Sequence, residues 1–488
     1  MNKLKQFVME YKGVPAYLAL CVTVANAVLF CTANFTIELG YSIWGVAILL
    51  MVVTAIILMI RFMQVVFRTP VFYALLVYAA WLAVSVIRGC QAGNSMANIL
   101  EDIGSVLYFV LFPVVLCILN TEERIITLMK LVMYCGFAVG VASVVFLASY
   151  VFWPVLFDEL LHWSYYGQII NFTRISETIP RILFVSSPMQ LFSCAFAVYF
   201  MVNDRKNILR YSVMVGVILF SVLITFTRSL YLATFAAAVA LVVLLFANTD
   251  RKTQCFVIKG IGIVVAVCAV LVLVFSLGAK TNYFGYALQR VFVNVSQTET
   301  VPEEPTVEVQ TEPSAGTAAT EEPTQTTVEV ITEATQHSEP TEETMIEFHD
   351  EETYLQATAI SDNMREKTKG KLMEIIRQNP IWGAGYGIRI EGRRTVPEFF
   401  FLDMWAKTGV VGVVLFLLPL MLVAAVVLKQ TVSRQADLVR VAWLTGLLGM
   451  TVYSVFQPYM NNAPCILMYC CVLSVDRWQQ INCLEKKE

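Results

Sequence analysis

The sequence predicts an all-α, polytopic membrane protein with about twelve transmembrane helices and one large extracytoplasmic loop, and three observations carry that prediction. Of 488 residues, 58% are hydrophobic and 15% charged, against about 25% charged in soluble domains. Mean hydropathy is +0.67. Apolar runs of spanning length recur along the chain, and its lysines and arginines fall on alternate loops. Such composition is solvated by lipid, where a segment must satisfy its own backbone hydrogen bonds and therefore spans as a helix.

The runs lie at 14–33, 41–61, 70–87, 103–120, 126–152, 181–203, 210–226, 229–248, 257–278, 399–428, 438–457 and 460–475. Two, 210–226 and 460–475, are short for a full crossing. The opening "MNKLKQFVMEYKG" and the apolar run after it imitate a signal peptide, but no small-residue cleavage site follows Ala33, so the first helix is expected to be retained. With Lys3, Lys5 and Lys12 on the cytoplasmic side, the inside loops carry Arg61, Arg68, Arg124, Lys130, Arg205, Lys206, Arg210, Arg251, Lys252, Lys429, Arg434 and Arg440. The tail adds Lys486 and Lys487, whereas the outside loops "TIELG" and "QPYMNNAP" carry no cation. Both termini are then cytoplasmic by the positive-inside rule. This divides the chain into a membrane region of about nine spans (1–278), an extracytoplasmic loop (279–398), a second membrane region of about three spans (399–475) and a cytoplasmic tail (476–488).

Within the loop, 297–344 is a Thr/Glu/Pro tract with too little apolar surface to offset its ordering entropy, so it is expected to be disordered. Order returns over 352–379, where Ile360, Met364, Leu372, Ile375 and Ile376 recur at helical spacing and Asn379-Pro380 supplies the stop. Arg365 and Lys369 share a face of this amphipathic helix. "GAGYG" at 383–387 has no preceding strand, and reads better as a turn needing flexible backbone than as a phosphate loop. A second outer loop, 153–180, is rich in interfacial aromatics (Trp153, Trp163, Tyr165, Tyr166) and is followed by a further cation, Arg181, beside its own Arg174. The twelve cysteines show no CxxC pair or metal spacing and read as small apolar packers.

In "TFTRSLYLA" a guanidinium, Arg228, stands between two apolar runs, at the outer end of the seventh. A cation there either snorkels to the interface or meets an anion.

Four stretches, taken together, resemble the O-antigen ligase and polymerase superfamily of bacterial membrane enzymes. They are "RISETIPRILFVSSPMQLFSCAFAVYF", "FTRSLYLATFAAAVALVVLL", Arg365 followed by "LMEIIRQNPIWGAGYG", and "PEFFFLDMWAKTGVVGVVLFLLPL", similar in turn to the family's arginine-led span entry, its arginine and small-residue helix, its P-x-x-G-x-G sequence and its TG-x-x-G segment. The resemblance covers roughly 170–425. One departure stands out. Counting back from Gly409, the family's histidine position falls on Glu398, and the histidines here are His162, His337 and His349. That favours a polymerase-like or divergent member.

The resemblance implies transfer of a glycan from a polyprenyl-pyrophosphate donor to an acceptor glycan or carrier at the cell membrane, on its extracytoplasmic face. Other polysaccharide-assembly membrane proteins are implied as partners. The leaving pyrophosphate calls for cations, and an arginine fork binds phosphate oxygens bidentately. Arg228 and Arg365 are the catalytic candidates, with Arg174, Arg181 and Lys369 as substrate-binding cations. Glu398 is the candidate base, with Asp403 beside it and Glu177 a further carboxylate. The bland alternative for Glu398 is a helix first turn beside Pro397, stabilised by the helix dipole. No cofactor, metal or nucleic acid is expected. A transporter or flippase should instead show polar groups or broken helices at mid-membrane, and an envelope scaffold leaves the basic helix at 352–379 unexplained.

Overall fold

The computed structural model describes residues 2–29, 66–104, 106–166, 169–176, 179–285, 287, 351–390, 393–394, 399–434 and 436–475. The predicted span 41–61, the tract 297–344, Glu177, Glu398, His337 and His349 lie outside the described residues.

The chain is mostly helical. After α1 (Asn2–Leu29) come α2 (Pro70–Gln91), α3 (Met96–Ile103), a 3-10 turn (Val106–Leu111) running into α4 (Phe112–Ile118), α5 (Glu122–Phe152) and α6 (Pro154–Tyr166). A hairpin of β1 (Ile170–Ser176) and β2 (Ile179–Phe184) precedes α7 (Gln190–Asn203), α8 (Ile208–Leu223), α9 (Arg228–Asn248) and α10 (Arg251–Gly278). The C-terminal part holds α11 (Glu351–Gln378), the short strands β3 (Arg389–Ile390) and β4 (Arg393–Arg394), α12 (Phe400–Val432), α13 (Leu438–Ser454) and α14 (Ala463–Val475). Helix starts follow local chemistry. Ser95, Thr121, Asp250 and Asp437 accept hydrogen bonds from first-turn amides of α3, α5, α10 and α13, and Pro70 opens α2.

Among the described residues six helices are long and apolar enough to cross a bilayer, or up to seven with the bent α3–α4 pair taken as one span. Three shorter apolar helices, Ala16–Leu29, Leu438–Ser454 and Ala463–Val475, stand beside them. The short run 460–475 is explained by burial: every residue from Pro464 to Val475 is buried in protein, and a helix that is apolar all round belongs in a core. In contrast α10 exposes Ile258, Val265, Val270, Leu273 and Leu277, an apolar face suited to lipid.

Two features correct the all-α expectation. β1 and β2 pair antiparallel from Ile170 opposite Phe184 to Ser176 opposite Ile179, with an irregularity between Arg174 and Ser176. The run 181–203 is therefore not one helix: its first residues are strand β2 and the helix begins only at Gln190. A window of apolar residues does not distinguish a buried strand from a helix, and in "IPRILF" Ile182 and Phe184 alternate inward with Arg181 and Leu183. The second hairpin, β3–β4, pairs Arg389 with Arg394 and Ile390 with Arg393.

The main core is built where α7, α9 and α13 meet, with Trp443 fully buried and its ring 4.6 Å from that of Phe196. Small residues let helices approach α7 closely, as at Gly136 of α5, which faces Ser193, and Gly446 of α13, which faces Phe192. A second aromatic core (Phe146, Phe157, Phe184, Phe220, Phe226, Phe275, Tyr283) lies beneath the β1–β2 hairpin. α11 packs on α12 through Leu372, Ile376 and Ala406, and also contacts β1.

Candidate functional site

Four residues, Ile224 to Thr227, separate α8 from α9. The reversal is tight: Phe226 takes φ 47°, uncommon for a bulky residue, with its ring buried and stacked 6.4 Å from Tyr283. Arg181, on β2, braces this turn. Its Nε donates to the Thr225 carbonyl at 3.1 Å and its Nη2 to Thr227 Oγ1 at 3.3 Å. The Ile182 amide adds a bond to the Ile224 carbonyl, and the Tyr231 hydroxyl donates to the Leu223 carbonyl. Thr227 stands at the N-cap of α9, yet its hydroxyl turns back to the Thr225 carbonyl at 3.1 Å and makes no capping bond. The first residue of this 21-residue helix is Arg228, and it is exposed. A guanidinium at a helix start that Thr227 does not cap, with the positive end of the helix behind it, suits an anion.

The other predicted cations lie on β1 and α11. Arg174 pairs in register with Pro180, one position from the Thr173–Arg181 pair, and its side chain lies outside the described ones. Arg365 is half-buried on α11. Lys369 is tied to its own helix, Nζ to Glu366 Oε1 at 3.1 Å, and both groups are open to solvent. Arg181 and the Arg228 turn are in direct contact, and the helix bearing Arg365 abuts the strand paired with β2.

"GAGYG" lies elsewhere and does different work. Gly383, Gly385 and Gly387 take φ of 71°, 95° and 87°, and all five amides are engaged within the protein. Gly383 donates to the Asn379 carbonyl (3.0 Å), Ala384 to Ala406 (2.8 Å), Gly385 to Lys407 (2.9 Å), Tyr386 to Ser85 (3.2 Å) and Gly387 to Asp102 Oδ2 (3.1 Å). A phosphate loop needs open amides, so this sequence is the turn expected of it. It latches α11 to α2 and α12. The partner is a break in α12, where Gly409 has φ 71° and ψ 175°, and a Cβ there would stand 1.9 Å from the Ile381 carbonyl oxygen. Arg88 of α2 closes the latch, donating to the Gly383 carbonyl from Nη2 (2.8 Å) and Nε (3.1 Å). Trp81 stacks on Trp382 at 5.0 Å and donates to the Thr408 carbonyl.

Asp403, expected at the substrate, is buried: its Oδ2 lies 2.8 Å from Lys407 Nζ, which is 3.2 Å from Asp102 Oδ2. Burial, with Tyr78, Asp403 and Asp102 nearby, pushes the Tyr386 hydroxyl well above the usual phenol range. Sequence reasoning passed over Arg88, Asp102, Arg389 and Lys407. The available signal was a charge at the edge of an apolar run, which is costly there unless paired.

A mostly helical bundle with outward apolar faces, and an arginine exposed where a membrane-length helix begins, defines a multi-pass membrane protein. Residues 213–417 match the O-antigen ligase family model, a match that supports membership of the O-antigen ligase superfamily. The matched stretch, less than half of the 488 residues, holds Arg228, Arg365, Lys369, Glu398, Asp403 and the glycine latch, and leaves Arg174 and Arg181 outside. It supports a membrane ligase- or polymerase-type role in polysaccharide assembly, by glycosyl transfer. No curated protein and no solved structure matches the chain.

Proposed function

We propose that the protein transfers a glycan from a polyprenyl-pyrophosphate donor to the hydroxyl of an acceptor glycan or carrier at the extracytoplasmic face of the cell membrane. The observation that carries this reading is Arg228, exposed at the start of α9 on a turn braced by Arg181. In the reaction the acceptor oxygen bonds to the anomeric carbon and the C–O bond to the pyrophosphate breaks, its electron pair passing to the phosphate oxygen. Negative charge grows on that oxygen, and a preorganised cation lowers the barrier most where charge develops. Arg228 supplies the planar fork and α9 the positive helix end. Arg365, Arg174 and Lys369 provide further positive charge for the donor, and Arg181 serves chiefly by shaping the turn. Glu398 takes the acceptor proton, and the buried Asp403, held by Lys407, is a structural carboxylate no longer assigned to the substrate.

Mass analysis of lipid-linked glycans from cells carrying Arg228→Ala tests the reading. Unconsumed donor should accumulate and polymer should fall, with protein levels unchanged. Arg228→Lys should fail similarly, because lysine keeps the charge and loses the fork; full activity of that variant makes Arg228 a membrane anchor. Topology is tested by reporters, inside after Lys252 and outside within 300–345. A cytoplasmic tract removes the case for an extracytoplasmic site.

A further inference from the structure

Asp102 is one of the most buried charges described, with none of its side chain exposed. Its two oxygens meet three separate parts of the chain. Oδ2 accepts from the Gly387 amide at 3.1 Å and lies 3.2 Å from Lys407 Nζ, while Oδ1 faces Arg389 Nη1 at 3.5 Å. Lys407 continues to Asp403 at 2.8 Å, and Arg389 continues to Glu101 at 2.7 Å. Thus α3 is tied to the end of the glycine latch, to strand β3 and to the first turns of α12. Two buried carboxylates, Asp102 and Asp403, face two cations, Lys407 and Arg389, and the half-exposed Glu101 adds a third carboxylate at the rim.

Paired buried charges contribute little net stability over well-packed apolar residues, because desolvation offsets their attraction. What such a network supplies is a single register, since any other pairing leaves a charge unmet in low dielectric. The register at stake here is specific. The latch ends α11, which carries Arg365, and Lys407 holds Asp403. We propose that Asp102 is a positioning residue for transfer: its carboxylate clasps residues 387–407, holding the Arg365 helix and the Asp403 turn of α12 in fixed relation. This rests on the pyrophosphate-donor reading above.

The test uses the full chain in lipid nanodiscs with farnesyl pyrophosphate, a short prenyl pyrophosphate, as the probe. Three variants are compared with the unaltered protein: Asp102→Ala, Arg228→Ala, and Leu245→Ala. Leu245, buried on α9, gives a destabilised control remote from the clasp. Asp102→Asn, which keeps an acceptor for the Gly387 amide, replaces Asp102→Ala if the latter does not fold. Affinity is measured per folded molecule, and amide exchange is followed over 384–390. The expected result for Asp102→Ala is faster exchange there and affinity lowered about tenfold. Leu245→Ala should lose thermal stability and keep its affinity, and Arg228→Ala should lose affinity with exchange at 384–390 unchanged. Affinity retained in Asp102→Ala despite faster exchange makes the clasp a structural tie and overturns the proposal, as does unchanged exchange. If the unaltered protein does not bind farnesyl pyrophosphate, the donor reading fails, and positioning for transfer falls with it; accelerated exchange alone then marks Asp102 as a structural tie.

Discussion

Two regions of this protein use their hydrogen-bonding groups in opposite ways. "GAGYG" looks like a phosphate cradle and is a structural latch, because its five amides are all engaged by carbonyls and by Asp102. "TFTRS" has no glycine, and its arginine, singled out in the sequence as a cation between apolar runs, is exposed at a helix start. The difference lies in where the hydrogen bonds go. In the latch the backbone is consumed by packing; at the Arg228 turn Thr227 bonds backward and Arg181 supports the turn from behind, so the helix end has no side-chain cap. A loop whose backbone amides are all engaged by folding cannot cradle a phosphate, whatever its glycine content.

Altering the two regions should therefore damage different properties. The largest effect is expected at Gly409→Ala. Its Cβ would meet the Ile381 carbonyl oxygen at 1.9 Å in a backbone conformation that disfavours side chains, costing on the order of 4 kcal/mol or more. Thermal unfolding in detergent should show a large loss of stability; a normal melting temperature would mean that the latch does not hold α11 to α12.

Next is Arg228→Ala, expected to lower turnover roughly 100-fold or more, about 3 kcal/mol of transition-state stabilisation, with the melting temperature unchanged. If stability fell as far as turnover, the contrast between a binding turn and a structural latch would disappear. Arg181→Lys should be intermediate. A lysine cannot reach the Thr225 carbonyl and the Thr227 hydroxyl as a fork, so turnover should drop about tenfold while the protein stays folded. Turnover equal to the unaltered protein would show that the turn holds its shape without Arg181.

The smallest effect sharpens the comparison between helix starts. α10 is capped by Asp250, whose bond from the Thr253 hydroxyl holds its carboxyl below the ordinary value. A depressed carboxylate contributes stability that is present above the unfolded value, near 4, and is lost as pH falls through the lower folded value. Asp250→Asn, itself a good cap, should melt only slightly lower at neutral pH. That difference should vanish in acid, because both caps are then uncharged. A difference that grows in acid would contradict the depressed carboxyl.

Much of the fold was legible in the sequence because lipid imposes a simple rule. Apolar runs at 70–87, 126–152, 229–248 and 257–278 all became helices, as did the amphipathic stretch 352–379. Where the run 181–203 opened on an alternating pattern just after Pro180, the same rule failed and a strand formed. The exposure of Arg228 was foreshadowed, since a lone cation between apolar runs must reach water or an anion.

The sequence by itself determined the membrane class, most of the helices and the identity of the arginines, because these follow from local hydropathy and from residue chemistry. Only the tertiary structure decided that Arg181 braces the Arg228 turn, that the glycines are saturated, and that Asp102 meets Gly387 and Lys407 across 285 and 305 positions of chain. Those outcomes depend on which carbonyls and carboxylates folding brings within about 3 Å, and hydrogen bonds of that range leave no trace in sequence spacing.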